Sequence, residues 1–109
     1  MFKKLLLTLS ISLLGLPLAF ATPGGAMLYE FYAPWCHVCQ ALAPKIDQLE
    51  KEGVPVTRIN IDESQKLAGK YGVEGVPTLV LVKNGKVQSR LEGDASMDEL
   101  RKLAKGLQN

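Results

Sequence analysis

Cysteine and histidine are scarce in this chain of 109 residues. It has two cysteines and one histidine, all within the segment WCHVC at 35–39. A closed zinc site needs four ligands, which these three residues do not supply. Haem attachment needs a histidine directly after the second cysteine, where Gln40 stands. A purely structural disulfide here would stabilise the fold by only roughly 2 kcal/mol on the loop-entropy model. The favoured interpretation is a pair that cycles between dithiol and disulfide.

Excess charge is also nearly absent. The chain has 13 lysines and arginines against 11 aspartates and glutamates, a formal net charge of +2. Lys3 and Lys4 belong to an N-terminal leader, and without them the two signs balance. A balanced charge does not imply a basic patch, so nucleic acid is not an expected partner.

The first 21 residues have the features of a secretory signal peptide. Two lysines precede an apolar run at 5–20, and small residues stand at 19 and 21 as a signal peptidase requires. We expect cleavage after Ala21 and export to an oxidising compartment, the periplasm. The alternative is an uncleaved membrane anchor, for which the run is somewhat short and polar. Residues 22–109 are expected to form one small domain.

The rest of the sequence alternates between strand and helix patterns. Short runs rich in apolar and β-branched residues predict four strands, at 27–32, 54–61, 78–82 and 86–93. Apolar residues at helical spacing predict three helices, which begin near Cys36, at 62 and after Ser96. The second helix should end near residue 71. Pro44 lies inside the first helix and is expected to kink it.

Two local signals define the C-terminal third of the chain. Asn84-Gly85 is a strong hairpin signal between the last two predicted strands. Ser96 and Glu99 form a capping box at the start of the last helix. The predicted order is β-α-β-α-β-β-α, an α/β fold with helices on both faces of a mixed four-stranded sheet. Connections through helices should make the first strands parallel, and the hairpin adds an antiparallel pair.

A Cys-x-x-Cys pair that follows a strand and opens a helix is suited to disulfide exchange. The free amide groups and the dipole of a helix N-terminus favour negative charge, so the pKa of the Cys36 thiol should lie below that of a free cysteine. Cys36 can then attack a disulfide as a thiolate. Cys39, one turn further along, can attack the mixed disulfide and release the product.

Several segments resemble the thioredoxin family in order and spacing. These are FYAPWCHVCQALAP, RINID, KYGVEGVPTLVLVKNG and the last helix, so that the resemblance extends from Met27 to the C-terminus. It implies a thioredoxin-like fold and thiol–disulfide exchange with protein substrates. It also implies a monomer that needs no metal and no cofactor beyond its redox-active disulfide, and that exchanges electrons with a membrane or periplasmic redox partner.

The resemblance assigns roles to individual residues. Cys36 matches the nucleophile, Cys39 the resolving cysteine, and Trp35 the tryptophan that shapes the surface around the thiol. Pro77 matches the family's cis-proline, and the backbone of Val76 before it would bind an extended peptide by strand addition. Without the resemblance, Pro77 would be interpreted as an ordinary turn proline before a strand.

Glu30 is a carboxylate within an otherwise apolar strand, six residues before Cys36. The family usually has a buried aspartate at this position. Burial would raise the pKa of this carboxyl group, so that Glu30 could take the proton from Cys39 during resolution. The alternative is an edge residue with its carboxylate in water.

Three features depart from the family pattern. A full thioredoxin has an earlier strand and helix, for which we expect no room after the leader. His37 and Val38 separate the cysteines, and a charged His37 would stabilise the thiolate and make the pair more oxidising, unless it is only a solvated linker residue. Arg58 stands where thioredoxin has a lysine. It either pairs with Glu30 and holds it ionised, or faces solvent.

These features leave the direction of electron flow open. We favour a reductant or general thiol carrier, because the chain is small and has no second substrate-binding domain. The first alternative is a periplasmic disulfide donor. The second is a non-enzymatic module of the same fold, whose cysteines bind a metal or stay locked as a disulfide.

Overall fold

The computed structural model describes residues 25–108, and the predicted leader and its cleavage site lie outside them. The elements follow the predicted order, with a short 3-10 turn after the last helix. They are β1 (Ala26–Tyr32), α1 (His37–Lys51), β2 (Thr57–Asn60), α2 (Gln65–Lys70), β3 (Thr78–Lys83), β4 (Lys86–Glu92) and α3 (Met97–Ala104). Among these residues, no helix has both the length and the apolar character needed to cross a membrane.

The four strands form one mixed sheet in the order β2-β1-β3-β4. β1 is parallel to β2 and antiparallel to β3, and β3 is antiparallel to β4. The predicted fold class is therefore confirmed. Because β1 has a neighbour on each side, a side chain in its middle lies inside the sheet and not at an edge.

The second helical connection does not lead to another parallel strand, and here the prediction was wrong. α1 has 15 residues, about 22 Å of helix, and returns the chain along the whole of β1. α2 has only six residues, about 9 Å, and cannot do so. β3 therefore begins at Thr78, opposite Phe31, at the same end of the sheet where β2 stops.

β2 and α2 are both shorter than predicted, for local reasons. Pro55 has no N–H to give to a strand ladder, and the N–H of Val54 is used by the carbonyl of Leu49 at the end of α1. β2 therefore begins only at Thr57. After β2, the carbonyl of Asn60 accepts hydrogen bonds from the N–H groups of residues 63 and 64. This turn delays the start of α2 to Gln65.

α1 follows its predicted pattern. Cys36 is its N-cap, and the helix runs from His37 to Lys51 with Pro44 inside it. Its apolar face is fully buried, with Leu42, Ile46 and Leu49 each at 0% exposure. This buried face packs α1 against the sheet. It thereby fixes the N-terminus of α1, where the cysteines lie, at the end of β1.

The hairpin and the capping box are both confirmed. Asn84 and Gly85 both have positive φ, at 52° and 80°, as the tight two-residue turn requires. The side chain of Ser96 accepts a hydrogen bond from the N–H of Glu99 at 3.1 Å. The Glu99 carboxylate accepts one from the N–H of Ser96 at 2.9 Å. These signals are local in sequence, so they are readable without knowledge of the tertiary structure.

Apolar side chains pack on both faces of the sheet. One face is covered by α1 and α3, with Leu28, Leu79 and Leu81 contributed by the strands. The other is covered by α2, with Phe31 and Val80 from the strands. A third, smaller cluster contains Ala33 and the two cysteines, and it forms the base of the candidate site.

Candidate active site

The cysteine pair lies at the junction of β1 and α1. A turn after β1 is closed by a hydrogen bond from the N–H of Cys36 to the carbonyl of Ala33, at 3.1 Å. Cys36 caps the helix, and its Sγ accepts a hydrogen bond from the N–H of Cys39 at 3.1 Å. The two cysteines form a disulfide. An amide that donates to sulfur at a helix N-terminus also stabilises a thiolate at that position.

Glu30 lies on an interior strand of the sheet. It belongs to β1, the strand between β2 and β3, and is only 2% exposed. Burial raises the pKa of the Glu30 carboxyl group, while the nearby Arg58 cation opposes part of that effect. The alternative of an edge residue with its carboxylate in water does not fit this position.

A cavity of about 260 Å³ connects the acid to one cysteine. Its lining includes Glu30, Tyr32, Cys39 and Arg58. Of the two cysteines, it is the second that faces the cavity. A space of this size is large enough for several water molecules, so a proton can pass between Cys39 and Glu30 without direct contact between them.

Arg58 has a more complex environment than either of the two expected arrangements. Its Nε lies 3.6 Å from the Glu30 carboxylate, which is too long for a hydrogen bond. Its Nη2 instead donates to Asp47 at 2.6 Å and to Glu50 at 3.0 Å, both on α1. The guanidinium therefore stands beside Glu30 but is bound to two other carboxylates.

The loop before β3 packs against the cysteines. The peptide bond between Val76 and Pro77 is cis, and Pro77 is fully buried. The carbonyl of Pro77 accepts a hydrogen bond from the N–H of Gly93 at 2.9 Å. The Thr78 hydroxyl donates to the carbonyl of Gly75 at 2.6 Å. The side chain of Val76 contacts the cluster that contains both cysteines. The structure thus brings this loop and the cysteine pair together, as the resemblance implied.

Trp35 has a partner that the sequence analysis missed. Its ring is 62% exposed, and its Nε1 donates to the carboxylate of Asp62, at 3.1 Å to the nearer oxygen. The N–H of Asp62 in turn donates to the side-chain oxygen of Asn60, at 2.9 Å. A signal was present in the sequence. Residues that follow two parallel neighbouring strands meet at one end of the sheet, and Trp35 and Asp62 follow β1 and β2.

We expect Asp62→Asn to loosen Trp35 and to weaken exchange with protein substrates about fivefold, because one charge-assisted hydrogen bond is lost. Reaction with small disulfides such as oxidised dithiothreitol should change little, since they do not need the tryptophan surface. The measurement is fluorescence anisotropy decay of Trp35, the only tryptophan in the chain, beside kcat/KM for both substrates. Equal losses with the two substrates would contradict this role.

The residues between the cysteines are exposed. The His37 side chain lies in solvent, and Val38 is 45% exposed. Within residues 25–108, no group of three or more histidine, cysteine, aspartate or glutamate side chains is arranged to hold a metal ion.

Comparison with known proteins agrees with this geometry. The thioredoxin family profile matches residues 19–106. The chain belongs to the thioredoxin family. The thioredoxin of Bacillus subtilis (strain 168) is 38% identical over 85 residues, which cover 75% of this chain and 82% of that protein.

Solved structures of thioredoxins are similar to the same region. A mutant thioredoxin from Halobacterium salinarum gives a TM-score of 0.69 at 39% identity, covering 77% of this chain and 75% of that one. The thioredoxin of Fasciola hepatica gives 0.68 at 32% identity, covering 83% and 86%. With its Cys-x-x-Cys disulfide at the active-site position of the family, the chain is a thiol–disulfide oxidoreductase.

Proposed function

We propose that this thioredoxin-family member is an exported reductant or general thiol carrier for protein disulfides. The small single domain favours the reducing direction, and the exchange chemistry itself is carried by the position of Cys36. It caps α1, and its sulfur accepts the N–H of Cys39. The Cys36 thiolate attacks one sulfur of a substrate disulfide, forms a mixed disulfide and expels the other substrate sulfur as a thiolate. Cys39 then attacks Cys36, which releases the reduced substrate and leaves the Cys36–Cys39 disulfide.

The second step requires that Cys39 lose its proton. Glu30 is the buried base that shares a cavity with Cys39, and burial raises its pKa, which makes it a stronger proton acceptor than an exposed glutamate. Water in the cavity would carry the proton from sulfur to carboxylate. Cys36 is not among the residues that line this cavity, so we assign Glu30 to Cys39 and not to the nucleophile.

Substrate would bind across the exposed apolar residues beside the cysteines. Among the described residues, the exposed large apolar side chains are Met27, Trp35, Val38 and Val87. Trp35 directly precedes the pair, and Val38 lies between the two cysteines. An extended substrate segment would add to the backbone at Val76 and contact Trp35 on the other side. No bound cofactor is required, since the cysteine pair itself accepts and donates the two electrons.

A reducing role needs a donor that returns two electrons to Cys36–Cys39 after each turnover. In an oxidising compartment, we propose a membrane or periplasmic redox partner for this purpose. The signal-peptide features of residues 1–21 support export, and the small domain favours a monomeric carrier. Mass spectrometry of protein recovered from the periplasm would test both export and cleavage after Ala21.

The decisive measurement is the reduction potential of the Cys36–Cys39 pair, by equilibration with glutathione or dithiothreitol buffers. We expect a value near −270 mV, on the order of that of thioredoxin-type reductants. A value of about −120 mV would instead indicate a disulfide donor. His37→Ala would then test whether the histidine causes the difference. A pair that cannot be reduced in the folded protein, or one that binds stoichiometric metal, would favour the non-enzymatic module.

A further inference from the structure

Arg58 and Glu30 are direct neighbours on parallel strands, since the register of β1 and β2 pairs them. Their side chains therefore lie on the same face of the sheet. In such a position, an arginine would ordinarily form a two-point hydrogen-bonded pair with the carboxylate. Here the nearest approach is 3.6 Å from Nε, and no hydrogen bond forms.

The reason is two carboxylates, Asp47 and Glu50, which lie one helical turn apart on α1. Nη2 of Arg58 carries two hydrogens, and it donates to Asp47 at 2.6 Å and to Glu50 at 3.0 Å. The side-on, two-point pairing of an arginine with a carboxylate uses Nε together with this same Nη2. With Nη2 engaged by two acceptors, only Nε of that edge is left for Glu30.

We propose that Asp47 and Glu50 are positioning residues that hold Arg58 away from a paired contact with Glu30, so that Glu30 stays able to accept and return a proton. The two carboxylates are partly exposed, at 60% and 40% of their side chains, whereas that of Glu30 is only 3% exposed. The two carboxylates thus hold the partly exposed Arg58 cation in the lining of the cavity. Since Arg58 does not lose its proton in a protein, its position alone decides how strongly it acts on Glu30.

The groups that face Glu30 agree with this arrangement. Arg58 on β2 lowers the pKa of Glu30, whereas Asp47 and Glu50 on α1 raise it. Cys39 on α1 and Tyr32 on β1 share the cavity with it. Its register partner on β3, Leu79, is apolar.

This inference rests on the proposed role of Glu30 as the base for Cys39. Its consequence is specific. Without Asp47 and Glu50, Arg58 would turn its Nε and Nη2 edge to Glu30 and keep the carboxylate ionised. Glu30 would then be a weaker base for the resolving step. The acid limb of the resolution rate should move to lower pH, and the plateau rate should fall several-fold.

The test is a titration of Glu30 in the double variant Asp47→Asn/Glu50→Gln. Carbon-13 NMR of labelled glutamate side chains follows the carboxyl group directly, and its signal is assigned by its loss in Glu30→Gln. The matched control is Glu63→Gln/Asp98→Asn, which makes the same two amide changes at exposed residues that do not contact Arg58 in the described part of the chain. We expect a clear move of the titration midpoint to lower pH in the first variant and little change in the control.

A second background separates positioning from simple loss of negative charge. In Arg58→Gln, the same double substitution should move the Glu30 midpoint much less, because no guanidinium is left to be released. Equal moves in the two backgrounds, or no move with Arg58 present, would overturn the proposal. If the midpoint moves while the pH profile of mixed-disulfide resolution does not, the positioning stands and the proposed role of Glu30 in exchange fails.

Discussion

Replacement of Cys36 by serine is expected to abolish disulfide exchange completely, whereas Cys39→Ser should leave the first half of the reaction intact. A serine hydroxyl is almost fully protonated at neutral pH, so the helix N-terminus has no thiolate to stabilise. In Cys39→Ser, Cys36 still attacks the substrate, but no second thiol can release it. The variant should therefore accumulate as a mixed disulfide with one substrate molecule per chain.

Mass spectrometry under non-reducing conditions measures this asymmetry. Each variant is incubated with a protein substrate that contains one accessible disulfide. We expect a stable adduct for Cys39→Ser, none for Cys36→Ser, and only a transient adduct for the wild type. Both serine variants are expected to stay folded, because serine is close to cysteine in size, although a buried hydroxyl lowers the free energy of unfolding somewhat. Denaturant unfolding beside the reduced wild type checks this. Equal adduct yields from the two variants would show that the roles of the cysteines are not distinct.

The parts of the fold that could be predicted are those determined by residues close together in the sequence. Asn84-Gly85 requires a backbone that few other dipeptides adopt, and Ser96 and Glu99 satisfy each other's helix-end groups within three residues. Cys36 lies at the helix N-terminus because a turn and an apolar helical pattern follow β1 directly. None of these features depends on which strand lies beside which.

The parts that could not be predicted depend on tertiary register. The sequence marks Arg58 as a cation near the buried acid. Its preference for Asp47 and Glu50 follows only from the placement of α1 over the β1–β2 pair. Likewise, the second helix was predicted over residues 62–71 and is shorter. The antiparallel direction of β3 required knowing that residues 61–77 stay at one end of the sheet. Ion pairs between side chains of different helices and strands are thus the part of this site that is hardest to predict from the sequence.

The site combines two different electrostatic environments across one turn of helix. Cys36 meets the positive end of α1 through backbone amides, and this favours its negative form. Cys39 faces a cavity with a buried carboxyl group, where burial disfavours negative charge. The first cysteine is therefore suited to be ionised at rest. The second is suited to remain a thiol until the mixed disulfide has formed, and we propose that the pair acts in this fixed order.

Glu30→Gln is the variant that separates this order from simple thiol reactivity. Glutamine has nearly the same shape but cannot take a proton, so release of the mixed disulfide at pH 7 should slow roughly 100-fold, the lower range for loss of a general base. The initial attack by Cys36 should change little. Stopped-flow fluorescence of Trp35, beside the disulfide, can follow both phases. The exposed Glu63→Gln serves as a control for loss of one carboxylate, and it should leave both phases unchanged.

Glu30→Gln should also raise the free energy of unfolding, and it should do so more at alkaline than at acidic pH. Burial raises the pKa of Glu30 in the folded chain, so the folded state binds this proton more tightly than the unfolded state does. The wild type therefore loses stability as pH rises from the ordinary glutamate range through the raised pKa, and the glutamine variant does not. Denaturant unfolding at pH 5 and pH 8 should show a larger advantage of Glu30→Gln at pH 8. An advantage that is equal at both pH values would mean that Glu30 does not titrate with a raised pKa. Slower release accompanied by greater stability at alkaline pH would show that the buried charge is retained for exchange and not for folding.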